Sequence, residues 1–109
     1  DGTFGVVTAY SSGNTLALDD KYLYTSAGNI SALTLGTPTV DERYMSQVNF
    51  SSGSTATTLT YPSAFKIMNS CDDVQTINGV KTFVPVANKR YQVWIFSDGV
   101  NTILFAKGV

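Results

Sequence analysis

Short apolar and polar runs alternate along the whole chain, and small or polar turn residues separate them. No segment sustains the spacing of apolar positions that a helix requires. A series of about ten short strands, spaced roughly eight to twelve residues apart, is typical of an antiparallel β-sandwich. The strand-like runs cover residues 4–10, 15–18, 22–25, 30–35, 45–50, 55–61, 65–68, 74–77, 81–84 and the two halves of 91–109.

Three turn signals predict hairpins between neighbouring strands. A four-residue connection that contains glycine occupies residues 51–54, and Asn78-Gly79 and Asp98-Gly99 are two-residue signals. Longer corners, such as residues 85–88, separate other strands. We therefore predict an all-β, antiparallel β-sandwich of the jelly-roll or Greek-key kind, with almost no helix.

The last hairpin is unusual because its first strand is apolar on both faces. Val93 and Ile95 share one face, so Trp94 and Phe96 lie on the other. An apolar patch of this size is more than a small soluble monomer usually exposes. We therefore predict an oligomer interface formed by Trp94, Phe96, Ile103 and Phe105.

Composition indicates one small globular domain. The chain has 109 residues, of which 43% are hydrophobic and 14% are charged, with a net charge of -1. A core of this length is not divided, so residues 1–109 form a single domain. No basic patch indicates a nucleic-acid partner, and the apolar runs are too short for membrane insertion. Because the sequence starts at Asp1, we expect it to be a C-terminal fragment of a longer protein.

The sequence argues against catalysis. It contains no histidine, and its one cysteine, Cys71, has no partner for a disulfide. Nearly every carboxylate falls in a predicted turn, where Asp is common for local reasons. The adjacent acids lack the alternating spacing of a calcium loop. We expect a protein that is not an enzyme and that has neither a cofactor nor a metal.

Aromatic residues near polar ones are the best candidates for ligand binding. A ring stacks on the face of a sugar, and polar neighbours bond the sugar hydroxyls. The alternative is that these rings complete the core or fill a subunit contact. The candidate ligand-binding residues are Tyr10, Asp41, Arg43, Tyr44, Asp72 and Asp73.

Two stretches resemble a small β module of phage tail proteins. They are VNFSSGSTATTLTYPSAFKIMN at residues 48–69 and FVPVANKRYQVWIFSDGVN at residues 83–101. Similar modules occur in tail, tail-fibre and baseplate-associated proteins of phages and prophages, mainly of Gram-positive hosts. The resemblance implies a virion module without catalysis, commonly a homotrimer, that acts outside the cell. It assigns no site residues.

The preferred hypothesis is a receptor-binding head domain of a tail fibre or baseplate protein that adheres to host surface saccharide. One alternative is a purely structural virion domain, such as a capsid decoration or a tail appendage. Another is a carbohydrate-binding module of a secreted wall hydrolase. A stable trimer favours the fibre hypothesis, and a monomer favours the appended module.

Overall fold

The computed structural model describes residues 7–9, 15–16, 23–37, 43–98 and 100–109. This part of the chain contains strands and turns and no helix, and therefore no helix that could span a membrane. The strands are β1 (Val7–Ala9), β2 (Thr15–Leu16), β3 (Leu23–Asn29), β4 (Ala32–Leu35), β5 (Arg43–Ser51), β6 (Thr58–Thr60), β7 (Lys66–Ile67), β8 (Val74–Ile77), β9 (Val80–Phe83), β10 (Arg90–Asp98) and β11 (Thr102–Gly108).

The described strands form three sheets. The main sheet has the order β1-β3-β5-β10-β11-β7, the small sheet has the order β2-β4-β6, and β8 and β9 form a separate ribbon. The all-β class predicted from the sequence is confirmed.

The first six strands alternate between the main sheet and the small sheet. Within each sheet their pairing is parallel: β1 with β3 and β3 with β5, and likewise β2 with β4 and β4 with β6. This winding differs from the antiparallel pairing that we expected. Parallel neighbours need a long connection, and here a strand in the opposite sheet provides it. A period of two in the sequence is the same for both directions of pairing, so it could not distinguish them.

Antiparallel pairing is found where the sequence signals are local. The ribbon turns at Asn78 and Gly79, whose φ angles are 51° and 78°. Such angles suit a two-residue turn of type I′, which confirms the predicted hairpin. β10 pairs with β11 as expected, and on its other side it pairs antiparallel with β5.

The core lies between the main sheet and the small sheet, and most of it comes from alternate residues of the strands. The main sheet supplies the large buried side chains of Tyr24, Phe50 and Tyr91, and the ribbon supplies Phe83. The buried apolar residues are Leu16, Tyr24, Ile30, Leu33, Leu35, Val48, Phe50, Phe65, Phe83, Tyr91, Val93, Ile95, Leu104 and Ala106.

The predicted hairpin at residues 51–54 was wrong. β5 and β6 lie in different sheets, and the segment between them crosses from one sheet to the other. Two buried hydroxyl residues hold this crossing. Thr57 donates its hydroxyl to the Ile30 carbonyl at 2.8 Å and accepts the Ser52 hydroxyl at 3.0 Å. The serine-rich and threonine-rich segment that predicts a hairpin turn is therefore a connection between the two sheets, held by buried hydroxyl groups.

Replacing Thr57 by valine tests this crossing. Valine keeps the shape of the side chain, but the Ile30 carbonyl loses its donor and the Ser52 O–H loses its acceptor, while the Thr57 N–H still donates to Ser52 Oγ at 3.1 Å. We expect the free energy of unfolding to fall by about 1–3 kcal/mol, measured by urea denaturation. Thr58→Val is the matched control, because Thr58 is exposed and its change should stay within about 0.5 kcal/mol. Equal effects of the two substitutions would contradict this role of Thr57.

Candidate functional site

The outer face of the main sheet, on β5, β10 and β11, is the strongest candidate for a functional surface. Val93 and Ile95 point into the core, so Trp94 and Phe96 lie on the opposite face of β10. Both of these side chains are half-buried. A face with two large rings that are not fully covered is uncommon in a small domain.

Cross-strand pairing places three rows of side chains on this face. We call the first two rows the platform and the third row the apolar end. The rows are Asn49, Gln92 and Lys107; Gln47, Trp94 and Phe105; and Met45, Phe96 and Ile103.

The platform combines aromatic rings with amide groups. The rings of Trp94 and Phe105 are 5.6 Å apart between centroids and tilted by 36°. The Lys107 ammonium lies 5.7 Å from the centre of the Phe105 ring. The Gln47 amide donates to Asn49 Oδ1 at 3.1 Å. An amide group both donates and accepts hydrogen bonds, so this surface offers stacking area and polar partners together.

The apolar end has a different character. Met45, which is paired with Phe96, is 57% exposed. Phe96 is paired on its other side with Ile103. In the closing hairpin Ser97 lies opposite Thr102, whereas a two-residue turn at Asp98-Gly99 would place it opposite Val100, so the register differs by two residues from the one that this turn signal predicts. A shift of two residues keeps every side chain on its face, so all four residues of the candidate interface lie on the same face: Trp94, Phe96, Ile103 and Phe105. Their role in self-association stays a prediction.

Beyond the platform, the same face continues with polar side chains. Arg90 donates to Ser51 Oγ at 2.7 Å and to Thr25 Oγ1 at 3.2 Å. The guanidinium therefore spans β10, β5 and β3. These contacts fix the orientation of Arg90 beside the platform.

The amides of the platform were missed in the sequence. Gln47 and Asn49 alternate with buried residues of β5, which is visible in the sequence as a polar and apolar pattern. Their neighbour across the sheet, however, is β10, nearly half the chain away. The false hairpin at residues 51–54 assigned β5 to another partner and hid this surface.

Of the six predicted ligand-binding residues, Tyr10 and Asp41 lie outside the described residues. Arg43 and Tyr44 begin β5, and only their backbone is described. Asp72 and Asp73 are fully described and lie together on the segment between β7 and β8. Among the residues whose side chains the structure describes, Asp72 and Asp73 are therefore the two that can be placed, and ligand binding by these residues stays a prediction.

Asp72 fastens its segment to the end of β11. Its carboxylate accepts the Gly108 N–H at 2.8 Å, and Lys107 Nζ lies 3.4 Å from Oδ1. The Asp72 N–H donates to the Ala106 carbonyl at 2.9 Å. The hydrogen bond from Gly108 is the main reason that the pKa of Asp72 is lowered, and Lys107 adds to it.

Asp73 fastens the same segment to β10. Its carboxylate accepts hydrogen bonds from Lys89 Nζ, at 2.7 Å, and from the Tyr91 hydroxyl. The Tyr91 oxygen in turn accepts the Val86 N–H at 2.9 Å. Asp73 has a φ angle of 54°, a left-handed conformation that Asp tolerates better than most residues. These contacts give both acids a structural role.

The loss of folding stability at low pH should depend on Asp73. Hydrogen bonds from Lys89 first, and then from Tyr91, lower the pKa of Asp73 from its usual value near 3.8. A lowered pKa contributes stability that is complete above the unfolded-state value and is lost as pH falls through the native one. We expect the midpoint temperature of unfolding to decrease as the pH is lowered below about 4, and to decrease less steeply in Asp73→Asn than in the unchanged protein. Equal slopes for both proteins, followed by circular dichroism, would contradict this origin.

The described residues include Cys71, Asp72 and Asp73, whose side chains are of the kinds that take part in catalysis or metal binding. They contain no group of three or more His, Cys, Asp or Glu side chains that could hold a metal ion. Cys71 is half-buried, and burial is the main cause of the raised pKa of its thiol. A thiol of this kind is a poor nucleophile at neutral pH.

Comparison of this chain with known proteins gives no match from which a function could be assigned, so the surface geometry is the basis for that assignment. No family model, no curated protein and no solved structure matches this chain.

Proposed function

We propose that this chain is a non-enzymatic virion module, the receptor-binding head domain of a phage tail fibre or baseplate protein that binds host surface saccharide. Its phage origin, its location in the virion and its trimeric state rest on the resemblance of residues 48–69 and 83–101. Saccharide binding rests on the outer face of the main sheet.

The observation that carries the proposal is the platform. Trp94 lies directly opposite Gln47 on one side and Phe105 on the other. Aromatic rings cover the apolar face of a pyranose, while nearby amides bond its hydroxyls. Ligand sites commonly combine apolar and aromatic area with a few well-placed polar groups. The sheet holds these side chains on rigid strands, so little order has to be gained on binding.

The apolar end supports the second candidate, a purely structural virion domain. Met45, Phe96 and Ile103 form one apolar row at the edge of the platform. Exposed apolar and aromatic area of this kind is typical of surfaces that become the centre of a subunit contact. Self-association through this row alone would leave the platform exposed, whereas an interface that also includes Trp94 and Phe105 would cover it.

Glycan-array and host-wall binding of the chain test the proposal. We expect binding to a host polysaccharide that weakens about fivefold in Gln92→Ala, since one hydrogen-bonding group is worth roughly 1 kcal/mol. Gln75→Ala is the matched control, because Gln75 is exposed on the ribbon, away from the platform. Absence of binding to every host polysaccharide would remove the adhesion function and leave the structural one.

Native mass spectrometry separates the assembly hypotheses. A trimer that Phe96→Ala converts to monomer supports self-association through the apolar end. A monomer at every concentration favours an appended binding module over a fibre head.

A further inference from the structure

A groove runs along the outer edge of β6, where no described strand pairs with the small sheet. β6 is the last strand of that sheet, whose order is β2-β4-β6. Two adjoining clefts of about 300 and 340 Å³ lie against it, and both are lined by Leu59 and Thr82. β9 forms the opposite wall through Val80, Thr82 and Phe83. Just beyond β6, the Phe83 N–H donates to the Tyr61 hydroxyl at 3.2 Å, so the groove is bridged at Tyr61 and open beside Thr58 and Leu59.

The main chain of Leu59 faces this groove. The Thr58 N–H donates to the Ser31 carbonyl at 2.9 Å, and Thr60 lies opposite Thr34 in the parallel register. In a parallel ladder, alternate residues direct both their N–H and their C=O towards the same neighbour. Thr58 and Thr60 therefore face β4, and the N–H and C=O of Leu59 point to the open edge. This is the arrangement that an added strand requires.

The walls of the groove combine hydroxyl residues with exposed apolar side chains, and its charge is positive. Ile77 and Val80 are 45% and 57% exposed, and both line it. Among the described lining residues, Lys81 carries the one charge, and its ammonium contacts the neutral amide of Asn69. By contrast, Lys89 is paired with a carboxylate, Asp73. A partner with a negative charge would neutralise Lys81.

We propose that this groove binds an extended peptide segment of a partner protein, which adds to β6 as a further strand. One acidic side chain of the segment lies against Lys81, and apolar side chains at alternate positions cover Ile77 and Val80. The main chain of the segment bonds to the N–H and C=O of Leu59. The groove uses none of the platform residues, so this inference is independent of saccharide binding.

The test is an NMR titration of the whole chain with the capped peptide Thr-Val-Glu-Val-Thr. We expect the amide signals of Leu59 and Lys81 to shift. Two further peptides carry N-methyl groups on alternate amides. In the first peptide the methylated amides lie on one edge of the extended chain, and in the second peptide they lie on the other edge. A strand added to β6 uses one edge only, so one of the two should bind about fivefold more weakly and the other like the parent.

Charge reversal supplies the second readout. Lys81→Glu should weaken the Glu-centred peptide about tenfold and favour a Lys-centred one, since like charges repel across an interface. Lys66→Glu is the matched control, because Lys66 is exposed but does not line the groove. The proposal is overturned if no peptide shifts the groove amides, if both methylated peptides bind equally, or if Lys81→Glu leaves the preference unchanged. It is also overturned if the same amides respond only to concentrating the protein or to host saccharide.

Discussion

Trp94→Ala is expected to lower the affinity for host saccharide at least about tenfold while leaving the fold intact, because an aromatic anchor typically contributes roughly 2 kcal/mol. Trp94 stands on the outer face, and the core side of β10 is filled by its neighbours Val93 and Ile95. The fold loses chiefly the ring contact with Phe105, worth about 0.5–1.5 kcal/mol. Affinity by isothermal titration and the thermal midpoint should therefore respond very differently.

Two control variants test whether the expected effect is specific to the Trp94 ring. Trp94→Phe keeps a ring on the platform and should retain much of the affinity. Phe96→Ala removes a ring from the apolar end and should reduce self-association more than saccharide binding. If Trp94→Ala instead leaves ligand binding and oligomeric state unchanged and greatly lowers the thermal midpoint, Trp94 belongs to the core and the platform is not a site.

Tyr91→Phe is expected to destabilise the domain by about 1–3 kcal/mol, although it removes a single oxygen atom. The Tyr91 ring is fully buried and contacts Phe50 and Phe83, with centroids 5.4 and 5.2 Å away. Phenylalanine keeps those contacts. It leaves the Val86 N–H and the Asp73 carboxylate without their hydroxyl partner. Urea denaturation gives the free energy of unfolding directly.

A double-mutant cycle assigns this cost to the hydrogen bond. If Tyr91 acts through Asp73, Tyr91→Phe should cost clearly less in the Asp73→Asn background, by about 0.5 kcal/mol or more. Strict additivity would contradict the pairing. The alkaline limb gives a second readout, because burial first, and then the bond to Asp73, raise the pKa of Tyr91. The raised pKa of Tyr91 contributes stability that is complete below about pH 10 and is lost as the pH rises towards the native pKa. This contribution is absent in Tyr91→Phe.

The sequence predicted those features that neighbouring residues determine. Asn78 and Gly79 adopt positive φ angles by themselves, so their hairpin could be recognised without knowledge of the rest of the chain. The alternation of β10 likewise identified Trp94 and Phe96 as residues of an outer face. Asp72 lies in a predicted turn, where Asp is common for local reasons, and its contacts hold that turn segment to a strand end.

Features that depend on distant strands could not be predicted in this way. The partner of β5 is chosen by burial of Val48 and Phe50 against the whole core, and not by the glycine at residue 53. Gln47 therefore could not be recognised as the neighbour of Trp94. Parallel winding between two sheets was also missed, because alternation along a strand carries no information about its direction.

The position of β5 between β3 and β10 has a consequence for folding during synthesis. β3 precedes β5 in the chain, but β10 follows it only near the C-terminus. Until residue 98 has left the ribosome, one edge of β5 lacks its partner strand, and Phe50 lacks the Tyr91 ring that packs against it. Non-local strand pairing is slow, and exposed strand edges aggregate. We therefore expect the nascent domain to remain unfolded until the last hairpin emerges, and then to fold in one cooperative step.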